Sequence, residues 1–449
     1  MPILAFALFL GMWGLFMKKA IRVGSVPVVL SLAFFALTHG TRPLMLILGA
    51  APFTAALPPD IGDLASRAML YVLLYLACAW IAFGITRPIL GPAVAVMPRM
   101  SAVHFRWGMR WTVRIATVFA IWLIVWQFSR YGSLSDILIA AKIDKALAGT
   151  FGLRQIAGLG AIGAFMLAAD IYVSRRYSTL RAIPWLAAAG ICCFAFSLWG
   201  SRMEIGVLLL GFVAALAVGR GGEMSRPVLL KMIFWASILT AIVTWLYIYR
   251  LDLLSGGRMR ERDLSTTVAI SLHMVRFDAL MLVVQDFGDA NTLRKGEDFL
   301  NGVLIAVPRA IWEGKPDILL IGRWFRALYE PWAFNGWAVG VVGEYLLNFG
   351  TLGVVVGGMI YGTILQMIHR IYLRLGRTDP FSIMLCTVLT LLVFPEGSII
   401  QALPRFVLWV GPLIVLAIFC RYFAVIGTKS ALSGQDPLKL GPTGRGTSR

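Results

Sequence analysis

RAMLYVLLYLACAWIAFGI, residues 67–85, opens a run of nineteen residues between Arg67 and Arg87 that carries no charge. Wound as an α-helix such a run reaches about 28 Å at 1.5 Å per residue, close to the roughly 30 Å of a bilayer's hydrocarbon core. Apolar runs of the same kind recur near 2–17, 25–40, 111–128, 155–173, 182–199, 203–219, 229–249, 351–371, 380–395 and 405–425. The fold class predicted is therefore an all-α polytopic membrane protein with about eleven transmembrane helices. Composition agrees. Of 449 residues, 59% are hydrophobic and 14% charged, with a mean hydropathy of +0.81, whereas a soluble domain carries about 25% charge. One membrane bundle fits this better than two or three soluble domains. Residues 2–17 are followed by Lys18-Lys19 with no basic residue before them, so they read as a retained first span and not as a cleaved signal.

The net charge of +19 might suggest a nucleic-acid partner, but its distribution argues for membrane topology. One alternate set of connections holds Lys18, Lys19 and Arg22, then Arg87, Arg99, Arg106 and Arg110, then Arg175, Arg176 and Arg181. Arg220, Arg226 and Lys231, then Arg370, Arg374 and Arg377, continue the same set, which ends in the basic tail. The opposite short connections carry isolated arginines such as Arg42, Arg67, Arg202 and Arg405. By the positive-inside rule the first set is cytoplasmic, which puts the N-terminus outside and the C-terminus inside. Residues 43–57 are apolar but short and rich in proline; as a full span they would invert every later loop, so they read as re-entrant or interfacial. An amphipathic helix through 137–147 is expected in the external connection 129–154. The five cysteines, Cys78, Cys192, Cys193, Cys386 and Cys420, lie in or at the ends of apolar runs and read as small buried hydrophobes.

The domain plan that follows is eight spans over 1–249, an external loop over 250–336, three spans over 337–428 and a disordered cytoplasmic tail over 429–449. The loop has eleven basic and eleven acidic residues, half of the 22 acids in the chain. Loops of that length are uncommon without a role. Within it, 265–285 reads as an amphipathic helix and 299–311 as an apolar run too short to cross. A single helix over 337–371 would reach about 52 Å, too long for the core, so a break is expected near Asn348-Phe349-Gly350, with Glu344 left on a short external helix.

Arginine is the loop's main chemical resource: Arg250, Arg258, Arg260, Arg262, Arg276, Arg309, Arg323 and Arg326, with Arg202 at the nearby turn Trp199-Gly200-Ser201-Arg202. Guanidinium forks bind phosphate bidentately and keep their charge near lipid, so a group of them at the outer surface suits a diphosphate head group; salt bridging with the loop's acids is the plainer use. Candidate bases are Glu344, Asp278, Glu396, Glu204 and His273, and spacing does not choose among them. Glu204 also reads as a counter-ion to Arg202. The chain has no Walker A loop, no HExxH and no nucleophile elbow, so neither a metal nor another cofactor is expected.

Residues 296–316, GEDFLNGVLIAVPRAIWEGKP, resemble a stretch of the Wzy-type repeat-unit polymerases of O-antigen and exopolysaccharide. The residues that carry the likeness are Gly296, Phe299, Leu300, Pro308, Arg309, Trp312, Lys315 and Pro316, with Gly343, Glu344, Asn348, Phe349 and Gly350 further on and the Gly200-Ser201-Arg202 turn. The family pattern of a large periplasmic loop before the last spans is also matched. The resemblance implies an inner-membrane glycosyltransferase with a GT-C-like architecture, independent of metals. Its implied partners are undecaprenyl-diphosphate-linked oligosaccharides as donor and acceptor, membrane lipids, and optionally a chain-length regulator; nucleic acid is not among them. On that reading Arg202, Arg276 and Arg309 bind the diphosphate, Arg309 also stabilises the leaving group, and Glu344 deprotonates or orients the acceptor hydroxyl. Trp312 and Trp324 would stack on sugar rings. Two rival readings remain. An O-antigen ligase would use a loop histidine, for which His273 is the candidate, and a flippase would place charges near the bilayer midplane, whereas Arg114 and Asp170 read as lying near the cytoplasmic ends of their spans, where snorkelling suffices.

Overall fold

The structure, a computed structural model, describes residues 2–51, 54, 56–58, 60–95, 102–142, 151–174, 179–198, 202–219, 230, 234, 276–287, 293–306, 312, 321–332, 336–394, 402 and 405–411. Among them every regular element is helical. In chain order these are α1 (Pro2–Arg22), α2 (Val26–Ile47), α3 (Gly62–Ala95), α4 (Ala102–Tyr131), α5 (Leu134–Lys142), α6 (Phe151–Ser174), α7 (Thr179–Ser197) and α8 (Arg202–Gly219). The loop region contributes α9 (Arg276–Asp286), α10 (Glu297–Ala306) and α11 (Ile321–Tyr329). Then come α12 (Gly340–Leu375), α13 (Pro380–Val388) and π-helical turns at Leu389–Val393 and Phe406–Val410.

Seven helices, α1, α2, α3, α4, α6, α7 and α12, hold stretches long and apolar enough to cross a membrane, as a multi-pass membrane protein requires. The predicted spans at 203–219 and 380–395 are present as shorter apolar helices. Those at 229–249 and over most of 405–425, and the tail, lie outside the described residues. The basic ends sort as the charge pattern predicts. Lys19 at the end of α1 sits over the rings of Trp80 and Phe83 near the far end of α3, and Arg377 reaches Gly24 before α2. At the opposite end the start of α1, the end of α2 and the start of α3 surround one small apolar cavity, lined by Pro2, Pro43, Ile47 and Gly62 among others.

The side chains form two cores. One gathers α1, α2, α3, α9, α11 and α12 around Phe35, Tyr75, Phe277 and Tyr361. The other gathers α4, α6, α7, α8, α13 and the π turns around Ala161, Cys192, Leu208 and Met384. Val26 and Leu30 of α2 and Ile368 and Tyr372 of α12 belong to the second core, so α2 and α12 form the seam. Between α3 and α12 the backbones approach closely: a Cβ on Gly358 or Gly362 would collide with the carbonyl oxygen of Tyr75 or Ala79. Small residues at such a seam let helices touch where lipid gives no hydrophobic drive for association.

Three local expectations change. Residues 43–47 are not part of a separate re-entrant segment; they close α2, which carries Pro43 inside it. Arg42 faces inward to Asp278 and is buried together with Pro43, which ties this end of α2 to the bundle. The expected amphipathic helix at 137–147 starts earlier, at Leu134, because Ser133 accepts from the Asp136 N–H at 3.2 Å and starts the helix three residues sooner. Finally, α9 is not amphipathic in use. Every residue from Phe277 to Val284 is buried, so this loop helix enters the bundle between α2, α3 and α12.

The break in α12 falls where length demanded one. Gly350 has φ 64° and ψ −154° inside the helix, a conformation essentially reserved for glycine. The turn is sharp. The ring of Tyr345 lies directly over Gly357, twelve residues on, a separation of about 18 Å along a straight helix. The segment 340–349 therefore folds back along the start of 351–375 and carries Gly340 down into the bundle, beside Arg276 and His39.

Candidate functional site

Two layers of polar side chains lie between the helix ends where α2 finishes and α3, α6 and α8 begin. The outer layer ties the loop to the folded-back segment 340–349. Arg294 donates from Nε to Asp298 at 2.7 Å, and its backbone N–H donates to the Leu347 carbonyl at 3.1 Å. Asn348 donates to the same Asp298 carboxylate at 3.0 Å and to the Glu344 carbonyl at 2.9 Å. Gly296, with φ 86°, comes within 3.0 Å of the Phe349 ring at the position of a Cβ, and Phe299 packs on Tyr345 and Phe349 with centroids 5.4 and 5.2 Å apart. The motifs at 296–299 and 343–350, some fifty residues apart in sequence, thus form one contact.

The inner layer is charged. Glu344 is 6% exposed and stands one turn after Gly340. Arg276 begins the described part of α9 and lies against Gly340. From the second core, Arg154 of α6 donates to Glu204 of α8 at 2.8 Å. Arg405, half-buried, donates to the Leu392 carbonyl at 3.0 Å. That carbonyl lies in the last turn of the π helix. Glu204, Arg276, Glu344 and Arg154 all act electrostatically on Arg405. Among the described residues this charged cluster holds three guanidinium groups and two carboxylates, at the seam between the two cores.

Deeper still, Arg42 and Asp278 make a bidentate pair, Nε to Oδ2 at 2.7 Å and Nη2 to Oδ1 at 3.3 Å, with side chains 3% and 1% exposed. This pair seats α9, and with it Arg276 two residues earlier.

The predicted site residues are placed as follows. Glu344 and Arg276 come together with the charged recess. Arg202 is the first residue of α8, at the same end, and its side chain lies outside the described residues, as do Arg309, His273 and Glu396. Glu204 pairs with Arg154, whereas the sequence offered Arg202 as its counter-ion. Asp278 is committed to Arg42, which leaves it a structural role. Trp312 is exposed. Trp324 on α11 carries the Arg294 guanidinium over its ring at 3.8 Å and neighbours Phe287 and Phe325, so one of its faces is already covered. Beside it, Tyr329 donates to Asp286, and burial followed by that carboxylate pushes its phenol above the usual range.

No family model, curated relative or solved structure matches this chain. The site must be read from its own residues.

Sequence reasoning missed Arg154, Arg405 and His39. Arg405 was visible as an isolated arginine in an otherwise weakly charged connection. His39 was visible as an ionisable residue inside a span, which is costly unless it is used.

Proposed function

We propose that the chain is a membrane glycosyltransferase that polymerises lipid-linked oligosaccharide repeat units. It moves the growing glycan from undecaprenyl diphosphate to a second lipid-linked unit on the periplasmic face of a bacterial inner membrane. On this reading the full chain has about eleven spans in a GT-C-like arrangement and needs no metal. The observation that carries the proposal is the cluster of charges at the helix ends, where Glu204, Arg276, Glu344 and Arg154 all act electrostatically on Arg405. A diphosphate leaving group needs fixed positive charge, and a sugar hydroxyl needs an acceptor for its proton; both chemistries are grouped there. Contact between the two motif stretches that resemble the polymerase family supports the same reading.

In this mechanism Arg276 and Arg405, with Arg202 and Arg309 from the flanking segments, neutralise charge on the departing diphosphate. Glu344 orients the acceptor hydroxyl for attack on the anomeric carbon. Trp312 and Trp324 border the glycan path. The start of α12 at Gly340 adds backbone N–H groups and a partial positive charge to the recess. The test is a purified-protein assay with undecaprenyl-diphosphate-linked repeat units, read as a ladder on a gel. Wild type should elongate; Glu344→Gln, Arg309→Lys and Arg405→Ala should each slow elongation by about 10²-fold or more. Absence of any ladder with wild type would end the proposal.

A further inference from the structure

We propose that the open cavity between the start of α3 and the end of α9 binds a neutral sugar residue of the glycan, as a subsite apart from the charged cluster. The assignment rests on the polymerase reading above. The cavity has a volume of about 500 Å³ and is lined by Leu57, Asp60, Asp63, Leu64, Arg67 and Gln285 among others. Sites for small molecules range over about 300–1,000 Å³ and combine apolar walls with a few polar groups. This one lies at the end of α3 opposite Trp80 and Phe83, where Lys19 sits, and so at the end that the charge pattern puts outside.

Each wall is held in place. Asp63 and Arg67 are four residues apart on α3 and share one helix face. The segment before α3 is a succession of turns. The Ala56 N–H donates to Thr54 Oγ1 at 3.2 Å, the Leu57 N–H to the Thr54 carbonyl at 3.3 Å, and the Gly62 N–H to Asp60 Oδ1 at 3.2 Å. Leu57 and Leu64 are buried, whereas Asp60, Asp63, Arg67 and Gln285 are exposed, which makes an apolar floor under a polar rim. The end of α9 forms the remaining wall. It is fixed to α11, because Tyr329 donates to Asp286 and Phe287 packs on Trp324 with centroids 6.1 Å apart. Trp324, which borders the proposed glycan path, is thereby tied to the segment that carries Gln285.

Chemistry selects the occupant. Among the described residues no hydrogen bond or ion pair engages the side chains of Asp63, Arg67 or Gln285. A carboxylate only accepts, a guanidinium only donates, and an amide does both. A ligand that satisfies this rim must donate and accept at several neighbouring points, as the hydroxyls of a sugar do. Its ring carbons would cover the leucine floor. Asp60 and Asp63 repel a diphosphate, so the lipid head group is not the occupant. Arg276 and Gln285 stand near the two ends of α9, about 14 Å apart at 1.5 Å per residue. A glycan whose reacting end lies by Arg276 would therefore place a sugar beyond that end in the cavity.

The experiment uses the purified full-length protein in lipid nanodiscs and the free repeat-unit oligosaccharide, released from its lipid diphosphate by mild acid. Titration calorimetry should show binding to wild type, and Asp63→Ala and Gln285→Ala should each weaken it by about tenfold. Ala56→Trp fills the cavity without removing a polar group and should abolish binding, with thermal midpoints checking that each variant is folded. In elongation, Asp63→Ala should raise KM while kcat stays within about threefold of wild type, unlike Glu344→Gln. A wild type that does not bind the oligosaccharide, or equal affinity in wild type and the two rim variants, overturns the proposal. Binding that requires an added divalent cation also overturns it, since Asp60 and Asp63 would then be holding a metal. A wild type that binds the oligosaccharide through these residues yet builds no ladder would instead remove the polymerase reading and leave the sugar site standing.

Discussion

Replacing Asp278 by Asn changes two atoms' charge and almost no volume, yet it should be among the most damaging substitutions in the chain. Arg42 and Asp278 are both nearly excluded from solvent and meet in a two-pronged pair. With the carboxylate neutralised, the guanidinium keeps its charge, because an arginine does not deprotonate in proteins. Its remaining described hydrogen bond to the Ala51 carbonyl, at 2.7 Å, does not offset that charge. Removing one partner of a buried pair costs about 3–5 kcal/mol, whereas replacing both by apolar residues of similar volume is often neutral. Arg42→Met with Asp278→Leu should therefore be more stable than Asp278→Asn alone. A double-mutant cycle on the purified protein in detergent, with unfolding followed by tryptophan fluorescence, should give a coupling of at least about 2 kcal/mol. On the proposed reading, polymer synthesis should fall in the single variant, because α9 loses its anchor two residues from Arg276, and should recover in part in the double variant. Asp278→Asn within about 0.5 kcal/mol of wild type, or a double variant as unstable as the two singles summed, would refute the reasoning.

Gly350→Ala forces a side chain into a region that costs about 1–3 kcal/mol; it should lower the unfolding midpoint and, by reorienting 340–349, reduce elongation more than stability. Asn348→Ala removes the link between Asp298 and the Glu344 carbonyl, with an expected loss of about 1–3 kcal/mol and shorter glycans on a gel. Gly362→Ala drives a methyl into the Ala79 carbonyl; overpacking of about 1–3 kcal/mol should appear as a lower thermal midpoint without a change in KM. Arg154→Ala leaves Glu204 without its 2.8 Å partner and subtracts a cation from the recess, so elongation should fall while the same change at exposed Arg323 leaves it intact.

Legibility from sequence divided along a physical line. Features set by length and local charge were readable. The uncharged run after Arg67 became α3, the basic ends Lys19 and Arg377 met at one end of the bundle, and the excess length of 337–371 located the turn at Gly350. Features set by non-local pairing were not. Nothing in the run 265–285 says that α9 is covered on all sides, because an apolar stripe looks the same whether the opposite face meets water or a buried arginine. Arg42 appears in sequence as a stray loop cation, and only the arrival of Asp278, 236 residues later, makes it structural. Glu204 pairs with Arg154 across two parallel helix starts, a partner fifty residues away that no local reading offers.

The re-entrant turn gives a reason for the site's position. Backbone that breaks helical bonding is tolerated at membrane depth only where protein or a polar cavity covers it. On one side of the Gly350 turn the loop motif at Gly296–Phe299 packs over Phe349 and Tyr345, and Asn348 and Arg294 bind the same carboxylate of Asp298, while Phe349 and Leu352 stay exposed. The folded-back segment brings Gly340 and Glu344 into the bundle, where charge is less screened, and on the proposed reading a fixed arginine there would act more strongly on a diphosphate than it would at the surface. The long loop is then the structural condition for the recess. Cutting the Asp298 contacts should lower elongation by displacing Glu344, even though Asp298 itself need not touch the glycan, and Asp298→Asn, which keeps an acceptor for Asn348, should be milder than Asp298→Ala. Equal loss from the two would assign Asp298 to charge instead of support.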